Sequence, residues 1–209
     1  MKPEEKRQAI LDVAAQAFRE LGFERTSMSE IRARVGGSKE TLYHYFPSKE
    51  ILFFEVMSRS TEAEFDAVHR NFQPSTDDIA ESLRQFSERF LAFLYSQQVR
   101  AQRHLAISES GRTDLGRFVY ENGVLRSQSL VSTFLHEAMN LGKLKVADPN
   151  VAARHLISLL ESELMERFLF QILTDVTAEE ISQVTARAID VFMAAYGPQH
   201  VNSAAIGTE

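Results

Sequence analysis

The 209-residue chain has no cysteine, no tryptophan and only five prolines. Without cysteine, disulfides, thiol nucleophiles and cysteine-held metals are excluded. No apolar run approaches the roughly 20 residues that a membrane-spanning helix needs. The first 30 residues are dense in charge and lack the apolar core of a signal peptide, so a cytoplasmic location is expected. The period-two alternation of a β-strand is absent over any useful length. Catalytic signatures are missing too: there is no HExxH, no histidine pair at i, i+4, no G-x-S-x-G and no dinucleotide fingerprint. Gly36–Gly37 lacks the preceding strand that a nucleotide loop requires. Asp66 and His69, three apart on a predicted helix, are the nearest approach to a metal pair, and surface hydrogen bonding is the better reading. No metal, cofactor or catalytic set is expected, and the chain is not read as an enzyme.

Helical periodicity fills the space these absences leave. Ile10, Val13, Ala14, Ala17, Phe18 and Leu21 form one stripe of a 3.6-residue period, and Gly22 closes that helix. Nine helices are predicted: 4–21, one after Ser27, one after Ser38, 49–72, 78–96, 99–110, about 116–141, 149–173 and 178–196. Residues 73–78 read as a loop, Gly197-Pro198 as a stop, and 199–209 as a disordered tail. The fold class is all-α. A small N-terminal domain, 1–47, is expected to precede a larger helical domain, 48–198.

The most informative stretch is Ser27–Lys49. Ser27 and Glu30 have the spacing of a capping box, Gly36–Gly37 breaks the helix that follows, and Ser38 caps the next one. Two short helices across a tight turn make a helix-turn-helix, whose second helix fits the DNA major groove. The net charge of −6 is unusual for a DNA binder, but its distribution is uneven. Residues 1–47 hold eight Lys/Arg and seven Asp/Glu, whereas 48–209 hold fifteen and twenty-two. The acidic excess lies away from the helix-turn-helix.

RQAILDVAAQAFRELGFERTSMSEI, followed by VGGSKETLYHYFPSKEILF, resembles the TetR/AcrR family of bacterial transcriptional repressors over residues 7–57. The segment ISESGRTDLGRFVYENG is more loosely similar to the regulatory domain of the AefR-like group. The resemblance implies a regulator that binds a near-palindromic, double-stranded operator as a homodimer and is released by a small apolar effector. It implies DNA contacts from Thr26, Ser27, Ser38, Lys39, Thr41, Tyr43 and His44, and a phosphate contact from Lys49. Two residues depart from the family pattern: Gly37 stands where a branched apolar residue is usual, and Glu40 where a small residue or proline is usual. A helical ligand-binding or scaffold protein without DNA binding is the alternative.

In the larger domain Phe86, Phe90, Phe93, Phe118, Phe134 and Phe168 each read as core, and together as the wall of an apolar effector pocket with His104 as a polar partner. The eighth predicted helix is apolar around much of its circumference, and the ninth carries one apolar stripe. A dimer interface through Leu156, Leu160, Leu164, Ile181, Ile189 and Phe192 would bury them.

Overall fold

The computed structural model describes residues 3–70 and 78–198. In chain order the helices are α1 (Pro3–Leu21), α2 (Met28–Val35), α3 (Lys39–Tyr45), α4 (Lys49–Ser58), α5 (Glu62–Arg70), α6 (Ile79–Leu94), α7 (Gln97–Glu109), α8 (Leu115–Val119), α9 (Leu125–Asn140), α10 (Pro149–Glu161), α11 (Met165–Leu169) and α12 (Ala178–Tyr196). A π-helical turn, Tyr120–Val124, joins α8 to α9. There is no strand among the described residues. The predicted tail and most of the 73–78 loop fall outside them.

Six helices start at a side chain that accepts a first-turn amide: Ser27, Ser38, Ser48, Asp78, Asp148 and Thr177. Each such cap is worth about 1 kcal/mol. Nine predicted helices become twelve because three are interrupted, and at two of the breaks short hydroxyls compete for helix carbonyls. Between α4 and α5, Ser60 Oγ donates to Met57 O (2.6 Å) and Thr61 Oγ1 to Ser58 O (3.0 Å). Between α10 and α11, Ser162 Oγ donates to Leu159 O (2.7 Å). The third interruption is the π turn, where the Asn122 amide donates to Phe118 O (2.8 Å).

The chain divides into two compact units. The first runs to Asp66 and takes in Gln97–Gly123, so residue 47 lies within it. Its core is built on α1: Ile10, Leu11, Ala14, Ala17 and Phe18 close against Met28 and Ile31 of α2, Leu42 and Phe46 beside them, and Leu52 of α4. Phe53 meets Phe18 edge-on at 4.9 Å and Phe23 at 4.8 Å. Two oppositely arranged ion pairs link α1 to α4, Arg7 with Glu55 and Asp12 with Arg59 (2.9 Å). A second small core joins Ile51 of α4 to Ala106 of α7 and Leu115 of α8, with Phe54 and Phe118 alongside. So α4 carries one face into each core.

The second unit comprises Ala67–Ser96 and the chain from Val124 onward. At its centre α10 packs on α6, α9 and α12. Ala152, Ala153, Leu156 and Leu160 of α10 are fully buried, as are Leu83, Phe86 and Leu91 of α6 and Leu135 of α9. Leu164, Ile181, Ile189 and Phe192 are buried in the same unit. The six residues expected at a dimer interface therefore serve the protomer's own core. Within α10 the buried apolar residues face the three helices it packs on, whereas Leu169, Phe170 and Ile172 of the predicted 149–173 helix stay exposed.

Burial holds the Glu55 carboxyl above the ordinary glutamate range, and Arg7 opposes that rise. A raised carboxyl pKa gives stability that is present at low pH and lost as pH rises through the folded value. Arg7→Met removes the opposing charge and raises that value further. Urea titrations are expected to show a small deficit against the unsubstituted protein near pH 4, growing to roughly 1–3 kcal/mol near pH 8.

Candidate nucleic-acid interface

The helix-turn-helix is assembled from α2, the Gly36–Gly37 turn and α3. Ser27 Oγ accepts from Glu30 N (3.1 Å) and Ser38 Oγ from Thr41 N (3.1 Å). Both turn glycines have positive φ, +76° at Gly36 and +103° at Gly37. That region is costly for any residue with a Cβ. The structure thus accounts for Gly37, where a branched residue is the family norm: the turn is left-handed twice in succession.

With seven residues, α3 is too short to persist alone. Leu42, 3% exposed, and Phe46, fully buried, pin its inner face to the α1 core. The opposite side then presents Ser38, Lys39, Glu40, Tyr43 and His44 to solvent, with Thr41 half-buried. Lys39 Nζ lies 5.6 Å from the Tyr43 ring centroid, one turn along the exposed face. His44 meets Tyr45 edge-on at 5.5 Å. This gathers five of the eight expected DNA contacts, Ser38, Lys39, Thr41, Tyr43 and His44, on α3 and its cap. Exposed Ser27 opens α2.

Thr26 and Lys49 are placed differently from the expectation. Thr26 is 1% exposed, and its hydroxyl donates to Gly22 O at 2.7 Å, with Ala17 O at 3.4 Å. It ties the α1–α2 link to the end of α1 and has no side-chain proton left for a phosphate. Lys49 Nζ donates to Phe23 O (3.0 Å) and sits 4.1 Å from the Phe23 ring centroid. Its ammonium keeps two further protons, but its first task is docking α4 onto the same link.

Glu40 is fully exposed on the α3 surface, and its carboxyl is held below the ordinary range. The causes in order are its own backbone amide, the Ser38 hydroxyl and the nearby charges of Lys39 and Arg32. Arg32 and Lys6, which the sequence reading passes over, border the Gly36–Gly37 turn from α2 and α1. They were not legible as a pair because 26 positions separate them and only the turn brings them together.

The predicted effector residues are divided between the units. His104 and Phe118 belong to the first, where Phe118 packs edge-on against Phe54 at 6.2 Å. Burial, then Arg103 and Arg100, lower the His104 pKa. Phe86, Phe90, Phe93, Phe134 and Phe168 are buried in the second unit. There Phe86 and Phe90 stack at 5.6 Å, and the His69 ring lies edge-on to both at 5.7 and 6.2 Å. His69 Nε2 is 3.1 Å from Ser127 Oγ, so this histidine is part of the aromatic cluster. No group of metal-ligand side chains occurs among the described residues, and none of their helices is long and apolar enough to cross a membrane.

Residues 10–56 match the family described as bacterial regulatory proteins, tetR family. Residues 81–198 match the AefR-like transcriptional repressor, C-terminal domain. The transcriptional regulator RutR of Escherichia coli is 36% identical over 72 residues, which are 33% of this chain and 34% of RutR. The match thus spans about a third of that curated relative's length. Among solved structures, a TetR-family regulator from Mesorhizobium loti aligns with a TM-score of 0.73 at 28% identity, covering 94% of this chain and 99% of the other. The flavonoid-responsive regulator FrrA aligns with a TM-score of 0.69 at 33% identity and the same coverage.

The double left-handed turn generates a stability prediction. Gly36→Ala and Gly37→Ala should each cost roughly 1–2 kcal/mol in urea unfolding. Ser38→Ala should cost about 1 kcal/mol through loss of the cap. Lys39→Ala, which removes only an exposed side chain, should stay within about 0.5 kcal/mol of the unsubstituted protein.

Proposed function

Because the chain belongs to the TetR family of bacterial regulatory proteins and carries an AefR-like C-terminal domain, we propose that it is a cytoplasmic transcriptional repressor that binds operator DNA as a dimer and releases it when a small effector binds. The observation that carries the reading is the solvent face of α3. Its ammonium, phenol and imidazole sit together on a helix anchored from behind by Leu42 and Phe46. Lys39 is suited to a guanine edge, and the hydroxyls of Tyr43 and Ser27 to backbone phosphates. In this reading residues 1–47 are the DNA-binding domain, 48–198 the regulatory domain, and Lys49 adds a phosphate contact while it docks α4.

The effector site belongs with the Phe86–Phe90–His69 cluster. Ser87 Oγ on α6 and Thr185 Oγ1 on α12 are buried in the same unit without a hydrogen-bond partner among the described residues. Buried hydroxyls left this way favour a ligand that brings polar groups of its own. A flat, largely apolar, hydroxylated ring compound suits both features. FrrA's description as flavonoid-responsive supports trying that class first. Such an effector acts by binding one conformation of the protein better than the other. The dimer contact falls on the exposed sides of α10 and α12, which carry His155, Ser158 and Ser162, and Gln183, Val191 and Ala194. Paired recognition helices then read major-groove turns about 34–36 Å apart.

Fluorescence anisotropy with a labelled duplex selected from a randomised pool tests the proposal at fixed salt. Tyr43→Ala should weaken binding about tenfold, the worth of one hydrogen bond to a charged group, with the sedimentation-derived mass unchanged. A flavonoid should release the unsubstituted protein from the duplex. If no duplex is retained from the pool, the chain is a ligand-binding or scaffold protein and the repressor reading is wrong.

A further inference from the structure

The helix-turn-helix has a second basic feature apart from the exposed face of α3. Beside the Gly36–Gly37 turn is a shallow, solvent-open hollow bordered by Lys6 of α1, Arg32 of α2, Ser38 before α3 and Thr41 of α3. A Cβ built on Gly37 would lie 3.4 Å from Lys6 Nζ, so the lysine ammonium already stands against the turn backbone.

Most other described cations of the first 60 residues are engaged, Arg19 and Lys39 being the exceptions. In the same part of the chain Arg7 pairs with Glu55, Arg34 with Glu20 and Glu30, and Arg59 with Asp12. Arg25 donates to Leu21 O, and Lys49 to Phe23 O. Neither Lys6 nor Arg32 makes an ion pair or side-chain hydrogen bond among the described residues. Two cations from different helices thus converge on one concavity that also holds two hydroxyls. The acid that faces this corner is Glu40, whose carboxylate already draws on the Ser38 hydroxyl and on the charge of Arg32. An anion from the chain itself is attracted to the edge of the hollow.

We propose that this hollow is a phosphate-binding notch, in which Lys6 and Arg32 clasp one backbone phosphate of duplex DNA and Glu40 competes with that phosphate. The proposal rests on the DNA-binding reading above and enlarges the footprint from α3 to α1 and α2. A phosphodiester carries one negative charge and two free oxygens. The guanidinium matches both oxygens, the ammonium supplies a point charge, and the Ser38 and Thr41 hydroxyls, 3.1 Å apart, stand at the rim. The contact is to backbone, so it adds affinity and register without reading sequence.

The salt dependence of duplex binding by the full-length chain tests the notch. Each phosphate neutralised contributes about 0.9 to the slope of log affinity against log salt. The double variant K6Q/R32Q should lower that slope by about 0.9 for each protomer bound. Its affinity should fall by the same factor on the pool-selected duplex and on a random duplex of equal length. K6R/R32K should restore the slope, and E40Q should raise affinity on both duplexes. Circular dichroism melting identifies any variant whose folding, and not its charge, has changed, and the charge-retaining double variant covers that case. If K6Q/R32Q binds with an unaltered slope while Lys39→Gln lowers it, the notch contacts nothing and the proposal is overturned. If the unsubstituted chain binds no duplex, the DNA-binding reading itself falls, and the notch with it.

Discussion

The close approach of α1 to its neighbours is the constraint on which the first unit depends. Ala14 and Ala17 are completely buried, and residues that small let α2 and α4 lie near the α1 axis. A seven-residue recognition helix has almost no stability of its own. It holds its position because Leu42 and Phe46 reach the core that α1 organises. The Arg7 guanidinium, 5.1 Å from the Phe46 ring centroid, joins that core to the Glu55 ion pair. Apolar burial, cation–π contact and charge pairing therefore meet at one corner. A disturbance in α4 is felt at the base of α3 through Arg7.

This arrangement gives α4 a double role. Leu52 faces the α1 core, while Ile51, next to it in sequence, faces α7 and α8. A helix held on two sides cannot shift relative to one core without straining the other. Packed cores switch between discrete arrangements more readily than they deform. On the proposed function, α4, a ten-residue helix with Lys49 at its start docked on Phe23, is the element placed to carry coupling to α3.

Much of this was legible in the sequence because the signals were local. The serine caps, the α1 stripe, the glycine break and the C-terminal helix 178–196 depend on residues within a few positions of each other, and all are present. What was not legible depended on which partner a side chain takes, near or far. Thr26 reads as a polar residue at a helix start, but the nearby carbonyl of Gly22 captures its hydroxyl. The apolar circumference of α10 suggested a second subunit, because periodicity reports burial without naming what does the burying. The helix breaks after Ser58 and Glu161 turn on hydroxyl rotamers that composition does not reveal. Leu42 and Phe46, four apart, mark the inner side of α3, and the residues expected to face DNA lie on the other.

Glu40 has a consequence at the scale of the genome. A regulator must find one site among some 10⁶–10⁹ competing non-specific ones, and most of the attraction to those comes from phosphate charge. An acid on the reading surface, with an acidic excess over the rest of the chain, weakens every indiscriminate encounter equally. The right sequence can recover that loss through base contacts, and the wrong ones cannot. On the proposed DNA-binding reading, fewer molecules are then held at uninformative positions.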